Sequence, residues 1–210
     1  MKLYYSPGAC SLASHMALEE AQIPYELVRV DLGAKRTADG GNYLAINEKG
    51  YVPTLVLDDG GTLTENAVVL QFIADRNPGT ALAPAHGTFA RYRLGEWLNF
   101  IATEIHKGFG PLWNAKNPDE VKDAALLNLG NRLGYVAKRL ASTPYLMEDT
   151  YTVADAYLFT LLNWAPKLSV DLSPWPALQQ FMTRVGARPA TQKAMRDEGL
   201  TPPNPGEANR

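Results

Sequence analysis

The sequence predicts an α/β domain followed by an all-helical domain. Three observations carry this reading. Stretches with strand character occur only before residue 65, and they alternate with helical stretches as β-α-β, a connection, then β-β-α. Asn77-Pro78-Gly79 stops that pattern, and residues 77–87 are rich in Pro, Gly and Ala. From Thr88 onward nothing reads as a strand, and apolar residues recur at helical spacing.

Lys2 to Tyr5 alternate and carry aromatics, which suits a strand. Ser6, Pro7 and Gly8 break it, and Ser11 to Ala21 run as a helix with Leu12, His15, Met16 and Glu19 spaced by three and four. After the break at Ile23-Pro24, Tyr25 to Asp31 reads as a second strand. A helix joins the two strands, so they are expected to be parallel. Residues 33–41 read as a loop or a weak helix start, and Tyr43 to Asn47 as a short helical turn. Thr54 to Leu57 and Thr62 to Thr64 read as strands around the hairpin signal Asp58-Asp59-Gly60-Gly61. Glu65 to Asp75 is a helix with Val69, Phe72 and Ile73 as its core stripe. This is the order of a thioredoxin-like fold (βαβ-ββα).

The second domain reads as helices over Phe89 to Phe109, Asp119 to Ala141, Thr152 to Leu162 and Pro176 to Ala187, with a short fifth over Pro189 to Glu198. Leu126, Leu129, Leu133, Val136 and Leu140 form the stripe of the second. Domains are expected over 1–76 and 88–200, with 77–87 as linker and 201–210 as a disordered tail.

Composition narrows the function. The net charge is −2, and no basic run exceeds two residues, so nucleic acid is not expected as a partner. No apolar run reaches the roughly 18 residues of a membrane span. The chain opens on a strand without the marks of a signal peptide. Its one cysteine excludes an internal disulfide and suits a reducing cytoplasm. Three histidines and one cysteine lack ligand spacing, so no metal site is expected.

Several positions offer chemistry beside a plain structural role. Cys10 falls between strand and helix, where the helix dipole and free N–H groups would lower a thiol's pKa; alternatively it is a small buried filler. Pro53 at the mouth of a strand is either an ordinary edge proline or the cis proline of a thioredoxin-like fold. In the second case the backbone of Val52 would pair with an extended peptide whose cysteine lands near Cys10. Thr64-Glu65-Asn66 is either helix capping or a cradle for an α-amino-acid end. Glu65 would then face the amino group, and the Asn66 N–H the carboxylate. Asn99, Thr103 and His106 lie at i, i+4 and i+7, on one polar face if the helix is regular. Thr152 and Asp155 have the spacing of a capping box, worth about 1 kcal/mol.

The opening Lys-Leu-Tyr-Tyr-Ser-Pro-Gly-Ala-Cys-Ser leads a series of segments: Asn-Glu-Lys-Gly-Tyr-Val-Pro-Thr-Leu, Leu-Thr-Glu, Glu-Trp-Leu-Asn-Phe-Ile-Ala-Thr-Glu-Ile-His-Lys-Gly-Phe and Thr-Val-Ala-Asp-Ala-Tyr. In this order they resemble the cytosolic glutathione transferases, specifically the bacterial beta class, over about residues 1–200. The resemblance implies a dimer with glutathione in a cleft and Cys10 with His106 as the catalytic pair. It places Lys35 at the glycine carboxylate of glutathione, the Val52 backbone at the cysteinyl part, and Glu65 with Asn66 at the γ-glutamyl end. Asn99, Thr103 and Glu104 would extend the site, in part toward the partner subunit. Glu104 lies about 140° around a regular helix from Asn99. Asn66 stands where the family usually has Ser or Gly, and Tyr5 is read as core. The Cys10 S–H and a protonated or donating His106 would stabilise the glutathione thiolate. Pro7, Phe109, Leu112 and Trp113 would meet a hydrophobic electrophile. The implied activity is conjugation for detoxification in the cytoplasm, with glutathione as co-substrate and no other cofactor. The alternatives are thiol–disulfide exchange through Cys10 and a non-catalytic glutathione-binding stress protein.

Overall fold

The computed structural model describes residues 1–201. All of the expected tail except Thr201 lies outside the described residues. The first domain is a five-stranded sheet in the order β3-β2-β1-β4-β5. Its strands are β1 (Lys2–Tyr5), β2 (Glu26–Asp31), β3 (Arg36–Thr37), β4 (Thr54–Val56) and β5 (Thr62–Thr64). β1 and β2 are parallel across helix α1 (Ser11–Glu20), as the crossover requires. β4 runs antiparallel to β1, and β5 returns beside it through the 57–61 turn, where Gly60 takes φ +88°.

β3 stands where a loop or weak helix start was expected. The Asp31 carboxylate accepts from the N–H groups of Gly33 and Ala34 at 2.8 and 2.9 Å, so the chain reverses at once. Arg36 and Thr37 then pair antiparallel with Asp31 and Val30. The turn signal was present in Asp31-Leu32-Gly33, but two residues are too few to show alternation.

Helix α2 (Asn66–Arg76) buries Val69, Leu70, Ile73 and Ala74. Phe72, read as part of its stripe, is only partly buried, and Leu70 fills the core instead. A 3₁₀ turn at Pro78–Thr80 begins the connection to α3 (Phe89–Phe100). Leu82 in that connection is buried, and its carbonyl accepts from the N–H of Val153. Arg91 of α3 reaches back to Asp75 of α2 at 2.7 and 2.9 Å. Residues 77–87 are thus strapped across the two halves.

The first long helix is not one regular α-helix. Residues Ile101–His106 form a π-helical segment between α3 and α4 (Lys107–Trp113). Helix α5 (Asp119–Leu140) buries Leu129, Leu133, Val136 and Leu140 as expected, but Ala125 takes the place predicted for Leu126, which is exposed. Helices α6 (Val153–Leu162), α7 (Pro176–Gly186) and α8 (Pro189–Asp197) follow.

α6 is buried along its whole length, and α1 from Ser11 to Leu18. A helix enclosed on all sides needs partners for its polar groups. Ser14 of α1 donates to the Asn66 side chain at 2.7 Å, and His15 meets Glu198 and Tyr25. One core cluster runs from Leu3 through α1 and α6 to Phe181, so both halves share a core. No helix among the described residues is long and apolar enough to cross a membrane.

Candidate active site

A cleft of about 850 Å³ opens where β1 hands over to α1. Cys10, Val52, Glu65, Asn66 and His106 all line it. Cys10 caps α1, and its thiol donates to the Val52 carbonyl at 3.2 Å. The Val52–Pro53 bond is cis.

The lowered thiol pKa expected at this helix start is not what the structure gives. Burial pushes the Cys10 thiol up to about 12, and the charge of nearby Glu65 adds to it. The N–H groups of Cys10 and Ser11 pull the other way and lose. At neutral pH the group is a thiol and a hydrogen-bond donor. It is not a resting nucleophile.

Glu65 takes φ +68° at the start of α2, a conformation rare for a residue with a side chain. Its carboxylate meets the Lys49 ammonium at 2.7 Å, and Lys49 also reaches Thr64. Both partners are exposed, so the pair is worth under about 1 kcal/mol. An incoming ammonium can displace it. The Asn66 side chain is fully engaged, donating to the Cys10 carbonyl at 3.1 Å and accepting from Ser14. Asn66 thus ties the starts of α1 and α2 together, and its backbone N–H, in the first turn of α2, has no partner among the described residues.

His106 meets the Tyr157 hydroxyl through Nδ1 at 2.7 Å and packs edge-on against Trp164. Burial pushes its pKa down to about 4, and the neighbouring Lys107 charge lowers it further. His106 is therefore neutral at pH 7, which removes the protonated alternative. The shift carries a prediction. The unfolded histidine titrates near ~6.5. Above that pH neither state binds the proton; as pH falls from 6.5 toward 4 the unfolded chain takes up a proton that the folded one refuses. Stability should fall over this window by on the order of 2–3 kcal/mol. Urea unfolding at pH 7.5 and 4.5 should show a smaller loss in His106→Asn than in the wild type. Equal losses would refute the assignment.

The other predicted positions lie elsewhere. Lys35 is outside the cleft lining; its ammonium donates to the Gly50 carbonyl at 2.8 Å and lies over the Tyr51 ring at the rim. Asn99 and Thr103 are exposed, and the Thr103 hydroxyl bonds back to the Asn99 carbonyl. Glu104 pairs with Arg132 at 2.7 Å. None of these three lines the cleft within this chain. The π segment is the reason: each residue turns less than in an α-helix, so His106 leaves the stripe that regular spacing gave it. Phe109 is fully buried behind Trp164, and neither it nor Leu112 lines the cleft; Pro7 and Trp113 do. Tyr5 is buried.

Sequence reasoning missed Tyr157, Trp164 and Lys49, which also line the cleft. Tyr157 and Trp164 sit on or just after α6, far from Cys10 in sequence; Tyr157 closes the Thr-Val-Ala-Asp-Ala-Tyr segment, which was read for its capping pair alone, and no local pattern marks Trp164. Among the described residues, His15, Glu19 and Asp197 bring ligand atoms within 4.8 Å of one another, a grouping that His and Cys spacing did not foresee. The Lys193 ammonium already pairs with both carboxylates, and Tyr25 bridges His15 and Glu19.

Two family models match in order: the glutathione S-transferase N-terminal domain over residues 8–76 and its C-terminal domain over 100–189. Glutathione S-transferase GstA of Escherichia coli O157:H7 is 44% identical over 200 residues, covering 95% of this chain and all of the relative. The chain belongs to the glutathione S-transferase family. Among solved structures, the ternary complex of BphK, a bacterial transferase, is 56% identical with a TM-score of 0.94, covering 95% of this chain and all of that one. A beta-class glutathione S-transferase from Sphingomonas chungbukensis is 43% identical with a TM-score of 0.93, covering 96% and 100%. The beta-class resemblance read from the motifs thus extends over both domains of a transferase.

Proposed function

We propose that this transferase joins the glutathione thiolate to electrophilic small molecules, as a cytoplasmic detoxifying homodimer with no cofactor beyond its co-substrate. The observation that carries this reading is the convergence of Cys10, the Val52 backbone, the start of α2 and His106 on one cleft. In this reading Glu65 takes the γ-glutamyl ammonium. The Asn66 N–H takes its carboxylate, helped by the positive end of α2. The cysteinyl N–H takes the Val52 carbonyl, which frees the Cys10 S–H to donate to the glutathione sulfur. Neutral His106 supports that sulfur from the other side. A free thiol has a pKa near ~8.5, and each unit of lowering is worth about 1.4 kcal/mol. The thiolate then attacks the electrophile, forming a thioether, while the leaving group departs with the bonding pair. Pro7, Trp113 and Trp164 offer the electrophile an apolar wall. In the same reading Lys35, beside Tyr51 at the rim, would meet the glycine carboxylate. Asn99, Thr103 and Glu104 would act only across the dimer.

The second reading is thiol–disulfide exchange, favoured by the place of the one cysteine at the cleft wall. Turnover with glutathione against an aryl halide, an organic hydroperoxide and a mixed disulfide separates the two. Conjugation of the aryl halide is expected; exchange alone would replace the first reading with the second.

Glutathione recognition has its own test. Glu65→Ala should raise the glutathione Kd at least about tenfold, ~1.4 kcal/mol, because a ligand ammonium loses its partner. A glutathione analogue without the amino group should bind worse to the wild type and about equally to the variant. An identical penalty in both proteins would remove Glu65 from the contact.

A further inference from the structure

We infer that Glu198, at the end of α8, is a positioning residue that holds Gly8 and through it the turn delivering Cys10 to the cleft. The kinetic part of this inference rests on the conjugation reading above. Glu198 comes from the far end of the chain, yet its carboxylate is fully buried beside the first turn. One oxygen accepts from the Gly8 N–H at 2.9 Å, and the other meets His15 Nδ1 at 3.1 Å. The Gly8 carbonyl accepts from the Trp164 indole N–H at 2.8 Å. Both backbone groups of one residue are thus held by side chains of the helical domain.

Gly8 takes φ +69°, so the turn needs glycine there, and the Leu200 side chain lies against it. Within the turn, Ala9 N–H bonds the Ser6 carbonyl and Ser6 N–H bonds Ser11 Oγ. Those bonds set its shape. They do not set where the turn sits relative to His106. The Gly8 contacts do, because the same Trp164 that holds the carbonyl packs edge-on against the His106 ring at 5.1 Å. A buried carboxylate is costly unless its oxygens are bonded, and a charge-assisted bond to N–H is short and directional. Glu198 spends one oxygen on Gly8, two residues before Cys10. Small displacements at reacting groups cost far more rate than stability.

The test uses the full chain with two substitutions at Glu198, Trp164→Phe, and one double variant. Glu198→Met keeps the side-chain length and removes both acceptor oxygens. Glu198→Asp keeps the charge beside His15 but falls one methylene short of Gly8. In both, kcat for an aryl halide at saturating glutathione should drop about tenfold while the KM for glutathione stays within about twofold. Iodoacetamide should alkylate Cys10 of the free protein at least about threefold faster, read by mass, because a released turn exposes the sulfur. Trp164→Phe combined with Glu198→Met should lose less than the product of the single losses, since both hold Gly8. Wild-type kcat and alkylation in the Met and Asp variants would overturn the inference, as would independent multiplication of the two losses. A rate loss that follows only the melting temperature would make Glu198 merely structural and overturn it too. Should the wild type not conjugate at all, the conjugation reading fails, and the alkylation rates still decide Glu198.

Discussion

Asp155→Ala is expected to cost about 3 kcal/mol or more, a large fraction of the stability of an ordinary folded chain. The carboxylate is fully buried. One oxygen accepts from the N–H of Leu146 at 2.9 Å, and the other from the N–H and hydroxyl of Thr152 at 2.8 and 3.0 Å. Alanine would leave three buried donors facing a void, each worth about 1–3 kcal/mol. A drop in melting temperature of roughly 6–12 °C is the measure for a chain of this length. The amide in Asp155→Asn would still accept at one position, so that variant should lose less. Glutathione affinity, measured where the variant is folded, should stay within about twofold. A loss below about 1 kcal/mol would reduce Asp155 to an ordinary helix cap. The pH behaviour is opposite to that of His106. Burial pushes Asp155 up to about 6 despite its three donors. The folded state therefore favours the protonated form, and that contribution, full below pH ~3.9, is lost as pH rises through 6.

Cys10→Ala is expected to split the two activities. If the thiol only donates to the glutathione sulfur, conjugation should persist at a reduced rate, because His106 and the start of α1 remain. Loss of one donor of this kind costs on the order of 10²-fold in kcat. Disulfide exchange should vanish, since no other cysteine exists in the chain. The wild type should form a mixed disulfide with oxidised glutathione, seen as a mass gain that a reductant reverses. Its formation should be slow at pH 7 and quicken at alkaline pH, because burial holds Cys10 as a thiol. Full exchange activity in Cys10→Ala, with no adduct on the wild type, would show that the cysteine has no chemical role.

Legibility differed from residue to residue. The Thr152–Asp155 pair was readable because both members sit within one turn of helix. Its larger cost was not, since Leu146 joins from a preceding loop. Cys10 at a helix start was readable from the Ser-Pro-Gly break, but its protonation state was not. Dipole arguments weigh only the local backbone, whereas the enclosing walls come from Val52, Glu65 and α6. His106 was found by type and spacing, while its supposed companions Asn99 and Thr103 were grouped by an α-helical angle that the π segment does not keep. Nothing in Phe100-Ile101-Ala102-Thr103 announces that change of register.

By itself, the sequence determined the order of strands and helices apart from β3 and the π segment, the change from an α/β half to a helical half, the parallel pairing of β1 and β2, and the presence of Cys10, Glu65 and His106 near helix starts or on a helix face. These depend on periodicity and on turn residues, which act over a few positions. The tertiary structure decided which groups share the cleft, that Cys10 and His106 are both neutral, that Asn66 bridges two helix starts, and that Glu198 grips Gly8 from 190 residues away. Those outcomes follow from desolvation and long-range hydrogen bonds, whose strength is set by what closes over a group from distant parts of the chain.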